Sequence, residues 1–189
     1  QHTTGNPTHT YSLAGQYQIS ISGSYSGTRM DSDVTNRTKL ISVDNWGNVG
    51  FTSFNSAFNS CSNLSKLPNG SITGANNVTS FDSVFANCTS LTSIPIGLFD
   101  NCSNLTSFYY CFVGCSSLTS IPIGLFDNFS NVTSFNACFA SCTSLTSIPV
   151  DLFKYNVNVT SFYSCFVACK KLSLPTTLFN LSALQNKKP

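Results

Sequence analysis

A single length, 27 residues, governs this chain. Cys61, Cys88, Cys115, Cys142 and Cys169 recur at that interval. So do Phe54, Phe81, Phe108, Phe135 and Phe162, and so do Phe58, Phe85, Phe112, Phe139 and Phe166. Leu64, Leu91, Leu118, Leu145 and Leu172 form a fourth column. Five units result, 51–77, 78–104, 105–131, 132–158 and 159 to about 184, the last short by one residue near "KKLSLP". Each unit is itself nearly duplicated: a 14-residue half such as "LTSIPIGLFDNCSN" alternates with a 13-residue half such as "VTSFNACFASCTS". Both halves run [LV]-T-S-[IF], then Phe, then usually Cys three residues later. Cys102 holds the cysteine place of one first-type half, and Phe129 and Asn156 take it in the next two units.

A unit this short cannot bury its own hydrophobic face, so copies must stack and share a core built of like-on-like columns. The fold class expected is a repeat solenoid of short parallel strands and short helical or 3-10 turns. The spacing Val-x-x-Phe followed by Phe-x-x-Cys predicts a strand and then one helical or 3-10 turn. The proline of "SIP" would end a strand by removing a ladder donor. Residues 1–10 read as a disordered tail or linker, 11–50 as an N-terminal β cap, 51–184 as the solenoid and 185–189 as a polar tail. The cap carries the only alternating strand pattern, Tyr17, Ile19 and Ile21, and the only tryptophan, Trp46. The stretch "LFNLSALQNKKP" reads as the closing cap and tail. Such ends must cover open core and unpaired edges.

The segments "LTSIP", "LFDNCSNLTSF" and "CFVGCSSL" resemble the leucine-rich repeats of the BspA type, found in bacterial surface proteins, phage-tail-like adhesins and some protozoan surface proteins. The likeness extends upstream through "YQISISG" and "KLISVDNWGNVGFTSFNSAFNSCSNL", and covers roughly residues 11–184. It implies a leucine-rich-repeat-like solenoid, an extracellular or cell-surface location, and an adhesion role, for instance at a fibre tip. It says little about the ligand. The chain departs from the family in placing phenylalanine where other members often place methionine or alanine.

Composition narrows the function classes. Charged residues make up 8% of the chain, glutamate is absent, and the net charge is +2. No basic run resembles a nucleic-acid footprint. No apolar run reaches the roughly 18 residues of a membrane span. The polar opening "QHTTGNPTHT" shows no signal peptide, as a fragment or a mature chain would begin. Hydroxyl and amide side chains supply most of the polarity, which suits an extracellular protein better than a cytosolic enzyme.

The nine cysteines read as core. The second cysteine column, Cys111, Cys138 and Cys165, is continued by Ala57 and Val84, and a place that accepts Ala, Val or Cys is a small buried one. Zinc wants four close ligands, yet each unit offers one C-x3-C at most and the only histidines are His2 and His9. Disulfides between stacked units meet the distance requirement, but parallel Cβ vectors are a poor start for the required dihedral. No metal and no cofactor are therefore expected. Nor is an enzyme: residues 51–169 hold Lys66, Asp82, Asp100, Asp127, Asp151 and Lys154 and no His, Arg or Glu. Asp100 and Asp127, one period apart, could pair as carboxylates do in glycoside hydrolysis, but Asp after "LF" reads better as a turn cap. Asp31 and Asp33 in "MDSDVTN" lack the later Gly and Glu of a calcium loop.

Recognition residues should lie where the units differ. After each "TSF" comes a changing pair: Asn55-Ser56, Asp82-Ser83, Tyr109-Tyr110, Asn136-Ala137 and Tyr163-Ser164. If the phenylalanine points inward, its neighbour points outward. Asn55, Asp82, Tyr109, Asn136 and Tyr163, with Tyr110, therefore make the candidate ligand-binding strip. Tyrosine offers a flat apolar ring with a polar tip, and amides supply directed hydrogen bonds. The partner expected is a cell-surface glycan or a protein receptor, without nucleic-acid binding or membrane insertion, and with homo-oligomerisation through a parent fibre. The alternative is a structural spacer or assembly unit, trimeric at a fibre tip, with no soluble ligand. Ice binding, a third class, would need a flat two-column Thr face that the adjacent Thr and Ser of "TS" do not provide.

Overall fold

The structure is a computed structural model and describes residues 11–20, 34–47, 52–175 and 178. The expected solenoid of short parallel strands and helical turns is not what forms. Among the described residues the only helix is the 3-10 turn Arg37–Lys39, which precedes the repeats. No strand forms there either. Pairing among the described residues takes the form of isolated parallel bridges, among them Ser42 with Lys66, Ser80 with Ser107, Ser107 with Ser134, Ser134 with Ser161, and Ser120 with Ser147. The bulk of the described chain is turn and irregular backbone.

The reason lies in the dihedral angles. Ser56, Ser83, Tyr110, Ala137 and Ser164 all have φ between 50° and 58°. Four residues further on, Ser60, Asn87, Gly114, Ser141 and Ala168 have φ between 58° and 72°. Each is the third residue of a turn that begins at Phe. Ala57 N donates to Phe54 O at 2.9 Å and Cys61 N to Phe58 O at 3.1 Å, and the same two bonds recur in every unit. An i-to-i+3 bond with a left-handed third residue marks a type II turn. A helical or 3-10 turn would need a right-handed residue there, and a strand an extended one. A left-handed residue at every fourth position excludes a helical turn, so Phe-x-x-Cys marks a β-turn, while the preceding "TS" segments pair only at single serine bridges and reach no strand.

The 27-residue interval persists as hydrogen bonds between layers of turns. Ser56, Phe58 and Ser60 donate their N–H groups to the carbonyls of Asp82, Val84 and Ala86 at 2.7–2.9 Å. The equivalent three bonds join each later layer to the next. In the other direction Thr106 N donates to Thr79 O, Thr133 N to Thr106 O and Thr160 N to Thr133 O, at 2.8–2.9 Å. Each of those threonine hydroxyls donates to the same carbonyl as its own N–H.

Phenylalanine fills the interior. Phe58, Phe85, Phe112, Phe139 and Phe166 stack with centroids 5.4–5.6 Å apart and planes within 13°. Phe108, Phe135 and Phe162 stack at 5.5 and 5.7 Å. Phe99, Phe126 and Phe153 wedge between layers of this second column, tilted 49–59° and 4.6–5.1 Å from the rings they touch. Offset-stacked and tilted pairs are the favoured geometries for aromatic quadrupoles. Trp46 packs on the free side of Phe58 at 6.1 Å, and Leu40 and Val43 pack against the same core.

The strand expected around Tyr17 and Ile19 does not form: residues 11–20 are irregular and exposed. Ile21, Asp31, Asp33, residues 1–10 and 185–189 lie outside the described residues. No helix among the described residues is long and apolar enough to cross a membrane.

Candidate functional site

The strip is held by one small device repeated in every unit. The serine of "TSF" turns its hydroxyl back to accept the N–H two residues on. Ser53, Ser80, Ser107, Ser134 and Ser161 take Asn55, Asp82, Tyr109, Asn136 and Tyr163 in this way, at 3.1–3.3 Å. This is a serine turn, and it fixes the direction in which each strip residue leaves the backbone. The phenylalanine before each strip residue is buried, so the strip residue faces out. Asn55, Tyr109 and Tyr163 are exposed, and Asp82, Tyr110 and Asn136 are half-buried.

Asp82 and Asn136 use one oxygen each to fasten the next layer. Asp82 Oδ1 accepts from Ser107 Oγ at 2.6 Å and from Tyr109 N at 3.1 Å. Asn136 Oδ1 accepts from Ser161 Oγ and from Tyr163 N, the latter at 2.9 Å. Each bond set positions the tyrosine that follows. Among the described residues the Nδ2 group of Asn136 has no hydrogen-bond partner. Asn55 makes no such bond; Asp82 N, in the next layer, is held by its own serine alone.

Tyr109, Tyr110, Asn136 and Tyr163 come together around a groove of about 330 Å³, with Ala137, Ala140, Ser164 and Val167 completing its lining. Tyr109 and Tyr163 stand two layers apart with Asn136 between them. The ring of Tyr110 meets that of Tyr109 edge-on, 4.1 Å between centroids at 83°. The Tyr109 phenol is held above the ordinary tyrosine range, first by its hydrogen bond to Tyr110, then by desolvation and by the Tyr110 and Asp82 charges. Asn55 and Asp82 do not line this groove.

Sequence reasoning missed the floor. Ala137 and Ser164 are second members of the changing pairs, and their small size is what leaves the groove open. Their shared left-handed φ with Tyr110 was unreadable because glycine, the usual signal, occupies none of the five places.

The cysteines carry no chemistry of their own. All nine are free thiols; eight are buried and Cys169 is half-buried. Cys88, Cys115, Cys142 and Cys169 donate Sγ–H to the carbonyls of Phe58, Phe85, Phe112 and Phe139 at 3.0–3.3 Å. Burial pushes every one of them up, Cys61 to about 11 and Cys102 to about 12, so they are protonated and poor nucleophiles at neutral pH. Asn156, buried at the equivalent of Cys102, donates Nδ2 to Phe126 O and Phe129 O at 2.9 Å each. Asp100 accepts from Asn128 Nδ2 of the next unit at 3.4 Å. No three His, Cys, Asp or Glu side chains gather as a metal site among the described residues.

No curated protein matches the chain. A family model matches it twice in overlapping placements, over residues 28–147 and 79–188, as a sequence with a strong internal period allows. The chain belongs to the family described as Mycoplasma protein of unknown function, DUF285.

Proposed function

We propose that this chain is a non-enzymatic adhesion or recognition module of a cell-surface or fibre protein, binding a glycan or a protein receptor through its outer strip. The observation that carries the reading is the contrast between columns. Inner columns keep Phe, Leu and Cys, whereas the strip changes to Asn, Asp or Tyr and collects three tyrosines around one groove. Tyrosine and amide groups are what recognition surfaces use, and a stack of layers offers them on a rigid support. The resemblance to BspA-type surface proteins supports the same reading and the extracellular or cell-surface location that goes with it, by analogy of fold family alone.

The test compares the intact chain with a Tyr109→Ala/Tyr163→Ala double variant, both immobilised and exposed to a panel of intact cells. Retention by the intact chain and loss in the folded double variant is the expected result. Equal retention by both removes the strip from the function.

A second reading, a spacer or assembly unit, is favoured by one feature. Ile96, Ile123 and Val150, one period apart, are exposed apolar residues, 78%, 83% and 57% accessible. Sedimentation of the intact chain beside an Ile123→Ser variant separates the readings: self-association that the variant abolishes supports assembly.

A further inference from the structure

The groove restricts the chemistry of what it can hold. Its walls are the rings of Tyr109 and Tyr163, 42% and 74% exposed. The phenylalanines just before Tyr109, Asn136 and Tyr163 stack at 5.5 and 5.7 Å from layer to layer, so walls two layers apart are spaced widely enough for one ring-shaped group to lie against either face. The floor, Ala137, Ala140 and Ser164, offers little bulk and no charge. The volume, about 330 Å³, is at the lower end of small-ligand sites.

Polarity then selects among ligands. Among the polar groups lining the groove, Asn136 Nδ2 is a pure donor with no partner among the described residues, because Oδ1 is committed to Ser161 and Tyr163, whereas the tyrosine and Ser164 hydroxyls can donate or accept. A ligand must bring an acceptor to it, which disfavours a bare cation. No Lys, Arg or His lines the groove, and the charged side chain nearest along the strip is the Asp82 carboxylate, hydrogen-bonded to the Tyr109 N–H. An anionic group could accept from that donor but would find no cationic partner in the lining and the Asp82 carboxylate close by along the strip. What remains has a flat apolar face for tyrosine and hydroxyl acceptors for the amide, and carries no charge.

We propose that the groove formed by Tyr109, Asn136 and Tyr163 binds an uncharged pyranose unit of a glycan, stacked on tyrosine and hydrogen-bonded to Asn136 Nδ2. This rests on the recognition reading and adds to it the class of ligand and the residue that selects it.

The probe is a printed array of neutral hexose oligosaccharides beside their sialylated and sulfated counterparts, with choline chloride titrated separately by NMR. Neutral spots should bind the intact chain, and Tyr163→Ala should weaken them at least tenfold. Asn136→Asp keeps the Oδ1 acceptor for Ser161 and Tyr163 but replaces the donor with a charge, and should also cost about tenfold. Tyr155→Ala, an exposed tyrosine outside the strip and the groove, should bind as the intact chain does. Preference for acidic spots, saturable choline binding without neutral-sugar binding, or full binding by Asn136→Asp overturns the assignment. If no glycan binds but cells are still retained through Tyr109 and Tyr163, the sugar assignment falls and the recognition reading stands; if neither occurs, both fall.

Discussion

The inner column Phe58, Phe85, Phe112, Phe139, Phe166 and the outer strip Asn55, Asp82, Tyr109, Asn136, Tyr163 have the same 27-residue spacing and opposite logic. Inside, five identical rings lie nearly parallel at 5.4–5.6 Å. Identity is needed because each ring's neighbours above and below are the same place in adjacent layers. Outside, no residue must match its neighbour, and Asp82 and Asn136 are each followed by a tyrosine whose N–H they hold. Repetition therefore carries stability, and departure from it carries the surface.

The largest test of that division is Phe112→Ala. Its ring is fully buried between Phe85 and Phe139, and the variant should lose about 3–5 kcal/mol of unfolding free energy in a denaturant titration. Alkaline pH acts next, on all the core thiols together. Their folded pKa values are raised, so the folded state holds protons that the unfolded state loses above about 9, and stability falls as pH rises. For Cys61 the loss runs from the ordinary thiol value of 9.0 to about 11, and for Cys102 from 9.0 to about 12. Stability curves at pH 8 and pH 10.5 under reducing conditions check the sign; a flat profile would mean the thiols are wetter than their burial indicates.

Asn156→Ala removes two donors from the buried carbonyls of Phe126 and Phe129 and should cost about 1–3 kcal/mol. Asn156 Oδ1 has no partner of its own, so part of the loss is offset by removing an unsatisfied oxygen. Within the left-handed column that ends each second turn, opposite substitutions should act oppositely. Ala168→Gly relieves φ of 60° at an exposed site and should gain about 0.5–1 kcal/mol. Gly114→Ala, φ 72°, would press a Cβ against Asn87 Oδ1 and should lose about 1–2 kcal/mol. Thermal melts of the pair measure both. The smallest effect belongs to the strip: Tyr109→Ala should stay within about 0.5 kcal/mol of the parent. If it unfolds the chain, the strip is structural and the contrast with the inner column disappears.

Much of the site was legible. The inward placing of Phe54 through Phe162 and the outward placing of their neighbours follow from the fixed columns, and so does the burial of most cysteines. The conformation joining them was not. Ser56, Tyr110 and Ala137 are residues that ordinarily avoid the left-handed region, so Phe-x-x-Cys read as a helical turn and the "TS" segments as strands. The serine turn behind each strip residue was equally hidden, since serine at that place reads as general polarity until a backbone N–H is seen 3.1–3.3 Å from its hydroxyl.

From sequence alone came the period, the five units, the identity of the core columns and the position of the variable strip. These depend on which residues recur, and recurrence needs no coordinates. Tertiary structure decided the rest: type II turns in place of helical ones, single bridges in place of strands, the oxygen of Asn136 committed to the next layer, and a groove that takes in Tyr109 and Tyr163 but leaves out Asn55 and Asp82. The turns close locally through i-to-i+3 bonds but are tied to the next layer by N–H groups of their left-handed residues, and the Asn136 contacts join groups about one period apart in the chain, which no local propensity encodes.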